Sequence, residues 1–87
     1  MPEIRKKHVI TDLDRETIKR IAAKAMEMRI KMGYTNEEFA ISAQINRNTY
    51  FKFEKSGTTG DNFTIAVLAK VIRGLGMTFE SFFTGIL

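Results

Sequence analysis

Cysteine is absent from this chain, so neither a disulfide framework nor a thiolate metal site is open to it. Histidine occurs once, at His8, and because metal sites need several ligands we expect no metal there. The single proline is Pro2, so no later proline breaks a helix. No apolar run approaches the roughly 20 residues that span a membrane, and none of signal-peptide length follows the basic N-terminus. These absences favour a cytoplasmic protein with no membrane contact.

What the chain does contain is enough apolar sequence for one modest core, since 44% of its 87 residues are hydrophobic. The formal net charge is +4, from 14 basic and 10 acidic residues. A basic surplus points to nucleic acid or an anionic membrane surface. However, residues 34–87 carry five basic and five acidic side chains, so the surplus lies nearer the N-terminus. Charge alone therefore does not identify a nucleic-acid surface.

Helical periodicity dominates the chain. Apolar residues recur at three- and four-residue spacing and no segment keeps a strand-like alternation, so the sequence predicts an all-α domain. Capping residues mark five helix starts, at Asp14, Thr35, Asn46, Thr64 and Thr78. An apolar residue precedes each cap and can pack on a second apolar residue five positions further along the chain. The predicted helices cover roughly 14–32, 36–43, 47–55, 65–75 and 79–84.

Two segments are predicted to lie outside the helices. Residues 1–12 have no helical period and are interpreted as a flexible basic tail, which leaves residues 13–87 as the folded domain. Within that domain, residues 57–62 are predicted to form the longest internal loop.

The second and third predicted helices are joined only by Gln44, Ile45 and Asn46, and so short a connection forces a sharp angle between them. Ala40 is a small residue where the second helix of the pair would cross the first. Ile45, Tyr50 and Phe53 fall where the core needs apolar groups. The pattern predicts a helix-turn-helix at about residues 35–55.

The outward face of the third predicted helix carries a mixed set of side chains at a spacing that places them on one side: Arg47, Asn48, Phe51, Lys52 and Lys55. Arginine and lysine match the acceptors of guanine, asparagine the donor–acceptor pair of adenine, and an apolar group the methyl of thymine. The alternative is an ordinary solvated helix face. Phe51 argues against full solvation, because a bulky aromatic side chain there needs a partner.

Five segments carry a resemblance to a known family: residues 29–40, 45–50, 53–55, 68–76 and 79–83. In their order and spacing they resemble the lambda-repressor/Cro-like helix-turn-helix family, also called the xenobiotic-response-element family. The resemblance implies a compact five-helix, lambda-repressor-like domain that binds double-stranded DNA, usually as a dimer, and regulates transcription. We predict base contacts by Arg47, Asn48, Phe51 and Lys52. Backbone contacts are predicted for Asn36, which the resemblance implies, and for Thr49, Lys55 and Thr58.

The chain departs from the family in the turn and in the following loop. The family often has glycine in the turn, where this chain has Gln44, and a left-handed glutamine costs roughly 1–2 kcal/mol. The family loop often carries basic residues, whereas none lies between Lys55 and Lys70. The segment Arg5-Lys6-Lys7 is a candidate DNA-contacting arm, with a merely solvated tail as the alternative.

The C-terminal segment has an apolar stripe at helical spacing, formed by Phe79, Phe82, Phe83, Ile86 and Leu87. The simpler interpretation is that it only closes the core. Because the stripe runs on past Gly85, and because the resemblance implies a dimer formed near this helix, we predict a homodimer on a palindromic operator with Phe83, Ile86 and Leu87 at the interface.

No enzymatic constellation is visible in the sequence. Catalysis needs a nucleophile, a base and oxyanion donors that converge, and a nucleotide cofactor would need a glycine-rich loop after a strand. Glu54 is interpreted as a structural partner of Arg29 or of a nearby N–H group. We therefore predict a non-enzyme without a cofactor, a transcriptional regulator and most simply a repressor. The alternative is a protein-interaction module such as an antitoxin, because a fold does not determine a function.

Overall fold

The computed structural model describes residues 10–84, which form five α-helices and no strand. The helices are α1 (Asp12–Lys31), α2 (Asn36–Ser42), α3 (Arg47–Thr59), α4 (Ile65–Gly74) and α5 (Phe79–Phe83). The all-α prediction is confirmed. The Arg5-Lys6-Lys7 arm, His8, Ile86 and Leu87 lie outside the described residues, so the predictions made for them are not addressed by the fold.

Four of the predicted helix starts are confirmed, and each depends on a side chain that accepts a first-turn N–H: Thr35, Asn46, Thr64 and Thr78. The first start was wrong. The N-cap of α1 is Thr11, whose hydroxyl accepts from the Asp14 N–H at 3.2 Å, while the Asp14 carboxylate accepts from the Thr11 N–H at 3.0 Å. This reciprocal capping box begins the helix earlier, and Leu13, the expected staple, is 80% exposed.

The end of α3 was also predicted wrongly. The helix continues to Thr59. Ser56 is buried in this part of the helix, and its hydroxyl is satisfied inside the helix by donating to the Lys52 carbonyl at 3.1 Å. Gly60 then ends it in a left-handed conformation with φ 75°, and its N–H donates to the Ser56 carbonyl. The loop predicted at 57–62 therefore begins only at Gly60, and Thr58 lies on the last turn of the helix.

The core lies where α1 packs along α3, with α2, α4 and α5 completing it. Its largest buried apolar side chains are Tyr50, Phe39, Phe53, Phe82, Ile72 and Val71. Three of these aromatic rings form a row, Phe39–Tyr50–Phe53, with centroids 5.2 and 6.0 Å apart. Among the described residues, no helix has the length and apolarity needed to cross a membrane.

Candidate nucleic-acid interface

Local chemistry starts both helices of the α2–α3 pair. Thr35 and Glu38 form a capping box that starts α2. Asn46 starts α3 by accepting from the N–H groups of Asn48 and Thr49, at 2.9 and 3.2 Å. Between the helices, Gln44 has φ 59°, in the left-handed region. This conformation reverses the chain within a few residues and brings the beginning of α3 beside α2.

Packing holds the angle between α2 and α3. Ala40 is buried and its carbonyl accepts from the Ile45 N–H at 2.9 Å, so the turn closes directly onto α2. Ile45, Tyr50 and Phe53 are buried, as the sequence predicted. With its inner side fixed in this way, α3 has one orientation relative to α1 and α2.

The outward side of α3 carries four exposed side chains of the predicted DNA-contacting set: Arg47, Asn48, Lys52 and Lys55. Thr49 and Thr58 are also exposed, and Asn36 is half-buried at the first position of α2. Phe51 differs from a freely exposed base contact, because it is half-buried and packs against the core. Its ring lies beneath the Arg47 guanidinium, with Cζ 5.4 Å from the ring centroid.

Arg47 has a second neighbour that the sequence did not indicate. Its Nη2 lies 3.0 Å from Oε2 of Glu37 on α2, and the two side chains are 62% and 52% exposed. Glu37 and Arg47 are each near the start of a helix, so no periodicity within one helix could predict that they meet. Only the tight turn brings them together.

A hollow borders this surface on the C-terminal side of α3. Thr49, Lys52 and Lys55 line one wall, and Asp61, Asn62 and Thr64 from the α3–α4 loop line another. The Arg15 guanidinium lies 3.9 Å from Asp61 in an exposed pair. Phe53, Phe63 and Val67 also line the hollow, and Asp61 is acidic, so only the side formed by Lys52 and Lys55 offers charge that suits a phosphate backbone.

Beneath the exposed surface, a buried charge pair ties α3 to α1. The Arg29 Nε donates to Glu54 Oε2 at 2.7 Å and Nη2 donates to Oε1 at 3.3 Å, with the side chains only 11% and 9% exposed. Arg29 Nη1 also donates to the Tyr34 carbonyl at 2.7 Å, and the Tyr50 hydroxyl donates to Glu54. The structural role predicted for Glu54 beside Arg29 is confirmed.

Burial and charge shift the pKa values of this cluster. Burial raises the pKa of the Tyr50 phenol well above its ordinary value, and the hydrogen bond to the Glu54 carboxylate raises it further. Burial lowers the pKa of Arg29, but the hydrogen bonds and charge of Glu54 outweigh that effect and leave the pKa raised. Arg29 therefore stays charged, Tyr50 stays protonated, and the cluster holds the orientation of α3.

The C-terminal apolar stripe is divided between the core and the surface. Phe82 is fully buried, Phe83 is half-buried and meets it edge-on at 5.1 Å, and Phe79 is 42% exposed. The Lys24 amine on α1 donates to the carbonyl of Phe82 at 2.7 Å and lies 5.3 Å from its ring. Sequence analysis missed this contact, since the two residues are 58 positions apart. It fixes α5 against α1.

Within residues 10–84, no group of three or more histidine, cysteine, aspartate or glutamate side chains is placed to hold a metal ion. Comparison of the chain with protein-family models, with curated proteins and with solved structures found no match. The geometry of the described residues and the pattern of the sequence are therefore the basis for assigning a function.

Proposed function

We propose that this protein is a sequence-specific DNA-binding regulator of transcription that inserts α3 into the major groove. The observation that carries the proposal is the exposed stripe of Arg47, Asn48 and Lys52 on the first half of a helix whose opposite side is buried. A recognition helix presents its N-terminal residues to base edges, and these three side chains suit guanine and adenine. The resemblance to the lambda-repressor-like family supports the same assignment.

The charge of the surface suits specific rather than indiscriminate binding. Residues 34–87 are balanced in charge, so few phosphates are neutralised by this part of the domain. Because each neutralised phosphate contributes about −0.9 to the slope of log K against log salt, we expect a shallow slope of about −3 to −5 for a pair of domains. We assign the contacts with the DNA backbone to four residues, Asn36, Thr49, Lys55 and Thr58.

Selection of bound duplexes from random DNA tests the proposal directly. We expect one motif to be enriched, and Arg47→Ala, Asn48→Ala or Lys52→Ala each to weaken binding to it by roughly 1–3 kcal/mol while changing binding to unrelated DNA little. Equal losses on both duplexes would make the residue a phosphate contact. If no motif is enriched, the interaction-module alternative replaces the regulator.

The proposal includes a C2 dimer formed through the end of α5, acting as a cytoplasmic repressor on a palindromic operator. The support is the exposed part of Phe79 beside the half-buried Phe83, in a stripe that the sequence continues to Ile86 and Leu87. Two-fold symmetry would set the recognition helices about 34 Å apart, one DNA turn.

Substitution at the end of α5 tests the dimer. We expect Phe83→Glu to weaken operator binding and to lower the mass measured by sedimentation on operator DNA, while circular dichroism stays helical. Leu13→Glu, which places the same charge at an exposed apolar position of α1, is the matched control. A monomer with and without operator, together with a non-palindromic motif, would exclude the dimer.

A further inference from the structure

Glu37 is an acidic side chain on the surface that we assign to DNA. It occupies the second position of α2, directly after Asn36, and its carboxylate reaches across to Arg47 at the start of α3. In the proposed complex, a carboxylate in this place would lie near the phosphates of the duplex. The positive end of the α2 dipole favours an acid there, but it does not explain the contact with Arg47.

The local geometry holds Arg47 between two neighbours. The Glu37 carboxylate contacts Nη2 at 3.0 Å, and the Phe51 ring lies below the guanidinium at 5.4 Å from Cζ. A guanidinium has five N–H donors in a rigid plane, so one contact to Glu37 leaves enough donors for a bidentate pair with guanine. The two neighbours favour this orientation of the side chain at the position where a recognition helix reads a base.

The energetic consequence depends on where Arg47 goes when DNA binds. In free protein, an exposed ion pair of this kind is weak, because water solvates both ions. When DNA excludes that water, the interaction of each charge with its surroundings strengthens. If Arg47 turned to a phosphate, Glu37 would be left unneutralised beside the backbone. If Arg47 reads a base from its present orientation, Glu37 remains paired.

We propose that Glu37 is a specificity-determining residue of this domain: it holds Arg47 in the base-reading orientation and penalises the use of Arg47 as a phosphate contact. The inference rests on the proposed DNA-binding function and deepens it. Asn48 and Lys52 contact bases directly in that proposal, whereas Glu37 acts through Arg47 and is a positioning residue.

The test compares binding to the selected duplex with binding to a scrambled duplex of the same length, over a series of salt concentrations. For Glu37→Gln we expect tighter binding to the scrambled duplex, with a salt slope steeper by about 0.9 because Arg47 is free to neutralise one more phosphate. The ratio of specific to non-specific affinity should fall by about fivefold or more, the lower part of the range for one bidentate base contact. The second variant, Glu37→Ala, should show the same changes in affinity ratio and salt slope.

Two controls separate positioning from a simple loss of negative charge. Glu27→Gln removes one exposed carboxylate from α1, and its affinity ratio should stay within about twofold of the starting protein. In an Arg47→Ala background, Glu37→Gln should change both affinities by the same factor, because the residue it positions is gone. Circular dichroism melts of all the variants confirm that they are folded.

The outcomes are distinguishable. A fall in the affinity ratio that requires Arg47 supports the inference. An unchanged ratio, or an equal fall in the Arg47→Ala background, overturns it while leaving DNA reading intact, provided that the starting protein enriches a motif. If the starting protein enriches no motif, the proposed function fails and this inference fails with it.

Discussion

Two arginine–glutamate pairs each join two helices of this domain, and they differ in how much water reaches them. Arg29 and Glu54 join α1 to α3 with side chains about 10% exposed, whereas Arg47 and Glu37 join α3 to α2 with side chains more than half exposed. Removing one partner of a buried pair leaves an uncompensated charge in the protein, but removing one partner of an exposed pair leaves a solvated ion. The same chemistry thus fixes the fold in one place and stays adjustable in the other.

The additional partners strengthen this contrast. The buried pair is bidentate and is extended by the Tyr50 hydroxyl and the Tyr34 carbonyl, so its polar groups are satisfied on several sides. The exposed pair has one N–O contact of 3.0 Å and a neighbouring aromatic ring. In the proposed function, the exposed side chains exchange water for bases, and the buried cluster supports them from beneath.

The largest expected effect comes from breaking the buried pair. Glu54→Ala leaves the Arg29 guanidinium buried without its carboxylate, and we expect a loss of roughly 3–5 kcal/mol in the free energy of unfolding. Glu37→Ala is the matched change at the exposed pair, where we expect about 1 kcal/mol or less. Urea unfolding followed by circular dichroism measures both, and similar losses would contradict the contrast.

A smaller effect is expected from the hydroxyl that extends the buried pair. Tyr50→Phe keeps the ring in the core but removes its hydrogen bond to a charged carboxylate, which is worth roughly 1.5–3 kcal/mol. Tyr34→Phe serves as the control, since that side chain is exposed and surface changes stay within about 0.5 kcal/mol. Equal stability of the two variants in urea would show that the Tyr50 hydroxyl contributes nothing.

Alkaline pH probes the same cluster without removing any of its atoms. The pKa of Tyr50 in the folded protein is raised above the ordinary value of 10.0. Its contribution to the free energy of unfolding is therefore intact below pH 10. Above pH 10 that contribution falls by about 1.4 kcal/mol per pH unit. In a Tyr34→Phe variant Tyr50 is the only phenol. We expect phenolate absorbance to appear together with the loss of helical circular dichroism. Absorbance that rises near pH 10 in folded protein would be inconsistent with this burial.

The smallest effect is expected at the turn between the two helices of the exposed pair. Gln44 is left-handed, and Gln44→Gly removes that strain at the cost of more freedom in the unfolded chain. We expect a gain of about 1 kcal/mol or less in a thermal melt, with DNA binding unchanged. Clear destabilisation would mean that the Gln44 side chain makes a contact of its own that outweighs the strain.

Local sequence patterns predicted the order of helices well because they depend on near neighbours. Thr35, Asn46, Thr64 and Thr78 are N-caps, as predicted, since a cap needs only a side chain and N–H groups two or three residues away. The two errors also arose locally. The first helix starts at a Thr11–Asp14 capping box, in which the predicted N-cap Asp14 is instead the third residue of the helix. The third helix continues past Lys55 to Thr59, with Ser56 buried in it.

The sequence by itself determined the helical class, four of the five N-caps, the turn, and which side of α3 faces outward, because helical periodicity and capping act within a few residues. Only the tertiary structure decided several contacts between helices. Glu37 contacts Arg47 across the turn, and Lys24 contacts Phe82, which is 58 positions away in the sequence. Phe51 is half-buried beneath Arg47. These contacts depend on the angles at which helices pack, and those angles follow from the shapes of many buried side chains acting together rather than from any local pattern.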